Sequence, residues 1–468
     1  MTRLALADLR ESWVAWLGVS LTFVVTNAVL ATCLLFTHSA DVAMAAGVMH
    51  GDDAEAVRTL PMINLATSAL VALAVIGAAT SLVVSARRSA IARLLLGGAG
   101  PGQVVRLLAV QLVVVSVVCA SLGDLLAIVL TPEAIAQVTT DRAVTTFPMH
   151  VSVGALLAAN AACIGLSLLG GLRQARAASR IPPVEALREA TTAGASRMGR
   201  WTVAFRWVRF VVLAGAIVAA FPAYRANAHD FGKDALSMLM QVSVLLIPLT
   251  GLALAAVLPW LVGPVTSAWT RLVPGGPAWH LARHTVVAKA DRLVRSVLPI
   301  MFATGLSFGI LMAADTLLAA LHRMGSTVEL SGMSVTTIVT MIGMPMTVAI
   351  AGSVGNLVMM SQQRSAELAL AGIVGAGPRQ QLLVPAFEAV ILTVTASVLG
   401  FVMAGVGAAM LASGLALTVP GATVSFPWGM LLGASAICLV VTLLATMVPV
   451  LRSLRQPAPR VVARLVAA

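Results

Sequence analysis

The sequence predicts an all-α polytopic membrane protein with about ten transmembrane helices. Three observations lead to this prediction: an unusually apolar composition, the recurrence of long apolar windows, and a duplicated polar-edged string that divides the chain into two similar units. Of the 468 residues, 59% are hydrophobic and only 10% are charged. A soluble fold of this size cannot bury so much apolar surface, so the chain belongs in a lipid bilayer.

The apolar windows have the length that a membrane helix needs. A bilayer core of roughly 30 Å is crossed by about 20 consecutive apolar residues. Pro222, Lys233 and Asp234 separate the fifth window from the sixth. The predicted spans are 13–36, 61–85, 104–131, 149–174, 203–224, 237–264, 293–320, 334–360, 381–413 and 427–451.

A duplicated string organises these spans. RSAIARLLLGGAGPGQ at 88–103 and RSAELALAGIVGAGPRQ at 364–380 each lie between the second and third span of a group of four. An even number of spans in each group, with two spans between them, gives both copies the same orientation. We therefore predict a first four-helix repeat at 1–190, two linking helices at 191–276, and a second, parallel four-helix repeat at 277–468.

The basic residues set the predicted orientation, because cytoplasmic loops retain positive charge. The formal net charge of +12 suits anionic headgroups and a cytosolic partner. No basic module with interleaved aromatics is present, so we expect no nucleic-acid partner. The preference for Arg over Lys is typical of a GC-rich bacterial genome, which indicates a bacterial cytoplasmic membrane protein. With both termini cytoplasmic, the basic residues left outside are Arg58, Arg142, Arg225, Lys233 and Arg323.

Each duplicated string is predicted to form a short amphipathic helix on the inner membrane surface. Arg88 and Arg93 alternate with apolar residues in the first copy, and Arg364 and Glu367 do so in the second. The Gly-x-Gly-Pro tail predicts where each helix ends, because Gly tolerates a left-handed cap and Pro cannot continue a helix that ends there. A competing interpretation is that these charges only set the topology.

Three elements occur in the same order in both units. They are an LA dipeptide before the first span at 6–7 and 281–282, the inner-loop string with its G-A-x-x-x-Q tail, and a proline-led string after the fourth span, which is P-x-x-A-L-R at 183–188 and lies opposite PRVVAR at 459–464. Together they resemble the FtsX-like (MacB-type) ABC transporter permeases, and the helix count resembles the ten-helix BceB-like branch. Those permeases generally carry a large extracytoplasmic domain, whereas the longest outer loop predicted here is 37–60.

The resemblance implies a partner and a mechanism. ABC ATPase subunits, in two copies, would dock on the inner-loop helices at Arg88, Arg93, Arg364 and Glu367. ATP and Mg would bind to that partner ATPase. Closure of the ATPases would move the helices and change the outer face, which is the mode of action called mechanotransmission.

No site for covalent chemistry is evident in the sequence. Lys233 follows a glycine but lacks the spaced glycine and the Ser or Thr of a P-loop. The pairs Met49-His50 and Met149-His150 are potential haem or copper ligands, yet we interpret them as interfacial residues. We therefore expect no catalytic residue, no cofactor on this chain and no metal site.

Acidic residues inside membrane spans are functional candidates by default, because charge is costly there. Asp124 and Asp315 fall towards the outer ends of their spans, and Glu388 falls in the inner third of its span. Because they lie at different depths, we interpret them as bundle-facing or substrate-contacting groups rather than as an aligned ion relay. Met344 and Pro345, in a Met- and Gly-rich eighth span, are candidates for a substrate-facing helix, with ordinary packing as the alternative.

The resulting functional hypothesis is a permease subunit that works with a separate ATPase. It would extrude or extract an amphipathic substrate, such as an antimicrobial peptide, a lipid or a hydrophobic drug, from the membrane. Two alternatives stay open. The first is a transmembrane signalling or regulatory complex that drives a sensor kinase or a cell-wall hydrolase, and the second is an ion-coupled secondary transporter.

Overall fold

The structure, a computed structural model, is helical over most of the residues that it describes. It describes residues 9, 13–49, 51–141, 145–179, 200–227, 235–288, 290–324, 343–360, 372 and 375–454. These residues contain 12 helices and no strand. The prediction of an all-α polytopic membrane protein is confirmed.

The helices are named here in chain order. They are α1 (Trp13–Ala45), α2 (Gly51–Ala86), α3 (Arg88–Leu96), α4 (Pro101–Asp141), α5 (Val153–Ala178), α6 (Arg200–Asn227), α7 (Ala235–Thr270), α8 (Pro277–Ala288), α9 (Ala290–Arg323), α10 (Gly343–Met360), α11 (Pro378–Leu415) and α12 (Trp428–Leu454).

Ten of these helices are long and apolar enough to cross a membrane. They coincide with the ten predicted spans, and the division of 203–264 into two spans corresponds to α6 and α7. The short helix α8 buries Trp279, Ala282 and Val286, as expected for an amphipathic stretch that leads into a span. Its predicted counterpart at residues 6–7 lies outside the described residues.

Two groups of four helices share one packing plan. We call α1, α2, α4 and α5 unit 1, and α9 to α12 unit 2. In unit 1, α4 packs along α1 and α5, and in unit 2, α11 packs in the same way along α9 and α12. The predicted boundary at residue 190 lies outside the described residues, so the three-part division of the chain stays a prediction.

A glycine marks the closest helix crossing in each unit. A Cβ atom added to Gly123 of α4 would lie 2.9 Å from both the Cβ of Asn27 and the carbonyl oxygen of Val24 on α1. A Cβ atom added to Gly400 of α11 would lie 2.8 Å from the backbone nitrogen of Gly305 on α9. Small residues allow such backbone approach inside a membrane, where apolar burial does not drive helices together.

The two units meet through α1, α2, α9 and α10. Gly18 of α1 and Gly355 of α10 face each other so closely that a Cβ on either glycine would overlap the carbonyl oxygen of the other. Gly352 of α10 receives the side chain of Val75 from α2. The linking helix α7 packs on α9, α11 and α2, and α6 packs mainly on α7 at the periphery.

The bundle has two distinct ends. The α3 end is where α2 stops and α4 begins, and the far end lies opposite. At the far end, the prediction of a loop at 37–60 is wrong for most residues, because α1 continues to Ala45 and α2 begins at Gly51. The α4 helix likewise continues beyond its predicted span to Asp141. At 1.5 Å per residue, the 41 residues of α4 span about 60 Å, roughly twice the hydrocarbon core.

These prolonged helices form a small structure of their own, which we call the far-end extension. It comprises residues 37–45, 51–60, 132–141 and 145–150. Phe36 contacts Phe147 edge to face, with 6.1 Å between the ring centroids. Arg58 pairs with Asp41 at 3.0 Å between Nε and Oδ1. The buried apolar residues at this end are Phe36, Ala40, Ala43, Met49, Val57, Ile135, Val138 and Phe147.

Candidate functional sites

The duplicated string forms the turn that ends α3 and begins α4. Gly98 has a φ of +91°, in the left-handed region that favours glycine. The N–H of Gly98 donates to the carbonyl of Leu95, and the N–H of Ala99 donates to the carbonyl of Leu94. These bonds satisfy carbonyls at the end of α3, as predicted from the Gly-x-Gly-Pro tail.

A glutamine then fixes the start of the following helix in both copies. The side chain Oε1 of Gln103 accepts a hydrogen bond from the N–H of Gly100 at 3.0 Å. In the second copy, Oε1 of Gln380 accepts from the N–H of Gly377 at 3.2 Å. Gly375 repeats the positive φ, at +103°. Both copies therefore place a glycine of positive φ before the next helix and begin that helix with the same glutamine contact, and we call this shared arrangement the helix-stop device.

The α3 helix has one face in the bundle and one face outside it. Ile91 and Ala92 are buried, whereas Arg93 is exposed and the Leu96 side chain is 56% exposed. Arg88 begins α3. The predicted docking residues Arg364 and Glu367 lie outside the described residues. The bundle residues that pack with Ile91 are Val84, Val104, Leu108 and Ala175.

A buried arginine joins α3 to the membrane helices. Arg87 lies between α2 and α3 and is 7% exposed. Its Nη1 donates to Oε1 of Gln111 on α4. Its guanidinium carbon lies 5.9 Å from the ring centroid of Trp16 on α1, which is the distance of a cation–π contact. The residue that precedes α3 therefore contacts both α1 and α4.

A second arginine connects the two units at the α3 end. Nη1 of Arg295, on α9, donates to Oγ of Ser85 at 2.7 Å and to the carbonyl of Ser81 at 3.3 Å, both on α2. The carbonyl of Arg295 accepts from Nδ2 of Asn356 on α10 at 2.8 Å. One residue thus holds α2, α9 and α10 together.

Asp124 is the centre of a polar cluster between three helices of unit 1. Its Oδ1 accepts from Nδ2 of Asn27 on α1 at 2.9 Å, and its Oδ2 accepts from Nδ2 of Asn160 on α5 at 2.8 Å. The same Nδ2 of Asn27 also lies 2.9 Å from the carbonyl of Ala120. The Asp124 side chain itself is half-buried.

The other two intramembrane acids lie elsewhere. Glu388 is buried on α11, about 15 Å along that helix from Pro378, at the α3 end. Asp315 is half-buried on α9, about 40 Å along the helix from Ala290, at the far end. Asp124 lies about 35 Å along α4, a depth similar to that of Asp315 in the other unit. The expectation that the three acids lie at different depths therefore holds for Glu388 but not for Asp124 and Asp315.

Met344 and Pro345 lie at the interface between the units. The Cys33 thiol of α1 donates to Sδ of Met344 at 3.3 Å. Pro345 is buried, and Met346 accepts from Oγ of Ser307 on α9 at 3.4 Å. The Met-rich segment of α10 therefore contacts both α1 and α9.

The comparison with known protein families decides the classification. The family described as "FtsX-like permease C-terminal" matches residues 62–183 and 339–458, together more than half of the chain. The chain belongs to the FtsX-like permease family. No curated protein and no solved structure matches it.

Membership in the FtsX-like family establishes the general role of the chain. It is a multi-pass integral membrane protein and a permease component of an ABC-type system, which implies association with an ABC ATPase. Each matched segment contains one copy of the duplicated string. When the two matched segments are aligned at their first residues, 62 and 339, Gly98 corresponds to Gly375, Gly123 to Gly400 and Asp124 to Phe401.

Sequence reasoning did not identify several residues that organise these FtsX-like sites. Asn27, Asn160, Arg295 and the role of Arg87 were missed. A lone amide or arginine in an apolar run does signal an unusual position, but its partner lies many residues away. The pairing of Asn27 with Asp124, for example, spans 97 positions.

Proposed function

We propose that this FtsX-like chain is the permease subunit of an ABC transporter of the BceB-like type, without a large extracytoplasmic domain. A separate ATPase, which binds ATP and Mg, drives it by mechanotransmission. The substrate is an amphipathic molecule that is extruded or extracted from the membrane, such as an antimicrobial peptide, a lipid or a hydrophobic drug.

The observation that carries this proposal is the connection of α3 to the bundle through Arg87. The exposed face of α3, with Arg93 and Leu96, offers a charged and apolar surface for the ATPase. The contacts of Arg87 with Gln111 and Trp16 link that surface to α4 and α1. Two copies of the string provide for two ATPase subunits, one for each unit, with both chain termini on the same cytoplasmic side.

The test is affinity purification of the full chain from its host in mild detergent, followed by mass spectrometry. We expect a stoichiometric P-loop ATPase, and we expect Arg93→Glu together with Arg364→Glu to remove it. Arg225→Glu is the matched control, because Arg225 is also exposed but lies at the far end of α6. An isolated chain without any ATPase in several detergents would refute the proposal.

A second experiment tests the link between docking and the membrane helices. Arg87→Met removes the hydrogen bond to Gln111 and the cation–π contact with Trp16, but leaves the exposed face of α3 in place. We expect the complex to form and permease-dependent stimulation of ATP hydrolysis to fall, measured in proteoliposomes. Unchanged stimulation would remove Arg87 from the mechanism.

The signalling alternative is favoured by one observation, the far-end extension. Its exposed helical surface, which includes the Arg58–Asp41 pair, offers a partner protein more contact than short loops would. Deletion of its tip should abolish partner signalling without affecting ATPase docking if that alternative is correct.

The ion-coupled alternative makes a different prediction for the intramembrane acids. Asp124→Asn and Glu388→Gln should abolish coupling in an ion-driven carrier, and they should leave ATPase association and the basal rate intact in an ABC permease. The separation of these two acids along their helices supports the ABC reading.

A further inference from the structure

The polar cluster of Asp124 has the features of a binding site for a positive group. Both carboxylate oxygens of Asp124 accept an amide N–H, and among the described residues neither oxygen donates to another group. A carboxylate offers about four lone-pair positions, and these two bonds occupy two of them. Asp124 as a whole is only half-buried, so the residue is not enclosed completely by the bundle.

No positive charge neutralises this carboxylate within the part of the chain that the structure describes. No Lys or Arg there forms an ion pair with Asp124. Oδ1 of Asn27 and Oδ1 of Asn160 are buried and accept no hydrogen bond. Asn27 has no exposed surface at all. One negative charge and two unsatisfied acceptor oxygens thus occupy a membrane-spanning region, where unpaired charge is costly.

The surroundings of the cluster are apolar and open to the side. On α4, Leu125 follows Asp124 directly and is 64% exposed. On α5, Leu157 is exposed next to the turn that carries Asn160. An amphiphile whose apolar chain lies against these leucines would bring its polar group to Asp124.

We propose that the Asn27–Asp124–Asn160 cluster binds the ammonium group of a cationic amphiphile that enters from the lipid. The ammonium supplies both the missing countercharge and N–H donors for the free lone pairs of the carboxylate. The inference rests on the proposed function and narrows its substrate class from amphipathic molecules to cationic ones.

Unit 2 offers no such site at the equivalent position. Phe401 stands where unit 1 has Asp124, and it stacks with Phe426 and Trp428 at centroid distances of 5.8 Å. Thr304, at the position of Asn27, donates to the carbonyl of Ala396 instead. Among the described residues, the proposed ammonium site in unit 1 therefore has no counterpart at the equivalent position in unit 2.

The experiment is saturation binding of radiolabelled dodecylammonium to the full chain in phosphatidylcholine nanodiscs, with empty nanodiscs as background. We expect one saturable site, and we expect Asp124→Asn to weaken it by about tenfold or more. Asp315→Asn is the matched control, because Asp315 is a half-buried acid at a similar depth in unit 2, and it should bind as the unaltered chain does.

A second variant separates binding from folding. Asn160→Leu removes one amide donor and one unsatisfied acceptor oxygen but leaves the Asp124 carboxylate in place, so ammonium affinity should fall less than in Asp124→Asn. A purely structural cluster would lose binding in this variant as well. Dodecanol should not compete with the amine, because it carries no charge.

Three results would overturn the proposal. The first is equal amine binding in the Asp124→Asn chain, and the second is equal competition by dodecanol. The third is Asp124-dependent displacement by sodium at constant ionic strength, which would identify a metal-cation site. Failure of the ATPase purification with intact amine binding would refute the proposed function alone. An intact ATPase complex with Asp124-independent amine binding would refute this inference alone.

Discussion

The two four-helix units share a backbone plan but differ in what fills it. Gly123 and Gly400 mark the same crossing of the first and third helices. One residue further along, unit 1 has Asp124 with two amide partners, and unit 2 has Phe401 in an aromatic stack. The repeat therefore preserves the positions where backbones touch, and the side chains around them have diverged to give each unit its own chemistry.

The interface between the units also has two sides with different contacts, α1 with α10 on one side and α9 with α2 on the other. Gly18 of α1 and Arg295 of α9 each lie nine residues before the residue that meets the shared glycine crossing, Asn27 in unit 1 and Thr304 in unit 2. Gly18 allows α1 to touch α10 at Gly355, whereas Arg295 reaches across to Ser85 of α2. One side of the pseudo-symmetric interface is thus closed by direct backbone contact, and the other side is held by hydrogen bonds.

The largest expected effect comes from placing a carboxylate in unit 2 at the position that corresponds to Asp124 of unit 1. Phe401→Asp places a carboxylate at a position with one hydroxyl and no amide donor nearby, and a carboxylate inside a membrane helix costs about 3 kcal/mol. We expect the thermal unfolding midpoint of the purified chain to fall clearly. Phe401→Leu is the control for loss of the aromatic stack alone, and equal midpoints for the two variants would contradict the comparison.

The glycine crossing that the units share should be the next most sensitive feature. Gly400→Ala brings a Cβ to 2.8 Å from the backbone nitrogen of Gly305, so α9 and α11 must separate. Such overpacking costs about 1–3 kcal/mol. Gly405→Ala, on the same helix, meets no atom within 4 Å and should leave the unfolding midpoint unchanged. If both variants behaved alike, backbone contact would not define the crossing.

Substitution of the positive-φ glycine of the helix-stop device should lower the free energy of unfolding equally in both units. Gly98→Ala and Gly375→Ala force a Cβ residue into the left-handed region, at a cost of roughly 1–2 kcal/mol each. Gly97, with a φ of −73°, is the control, because Gly97→Ala makes only ordinary contacts at 3.5 Å. The free energy of unfolding should be measured for all three variants. A loss confined to one unit would show that the second copy has lost this role.

The smallest expected effect belongs to the glutamines that begin the third helix of each unit. Gln103→Ala and Gln380→Ala each remove one hydrogen bond to a backbone N–H, worth about 0.5–1.5 kcal/mol. We expect slightly lower unfolding free energies and faster amide exchange at Gly100 and Gly377. Gln103→Glu keeps the acceptor and should retain the protection of Gly100.

Much of the fold could be predicted because its signals are local. Twenty apolar residues identify a span wherever they occur, and the Gly-Ala-Gly-Pro string identifies a helix end through two adjacent residues. The far-end extension was missed because hydropathy separates lipid from water, not helix from loop. Residues 51–56, GDDAEA, are too polar for the bilayer but continue α2 as a helix.

The sequence by itself determined the ten spans, the duplication and the helix-stop device, since each depends on residues within one or two helical turns. Only the tertiary structure decided that Asp124 meets Asn27 and Asn160, that Arg87 joins α3 to α1 and α4, and that Arg295 connects the units. These contacts depend on the rotation of each helix about its axis, which packing against neighbouring helices sets and which a pattern along one chain segment does not encode.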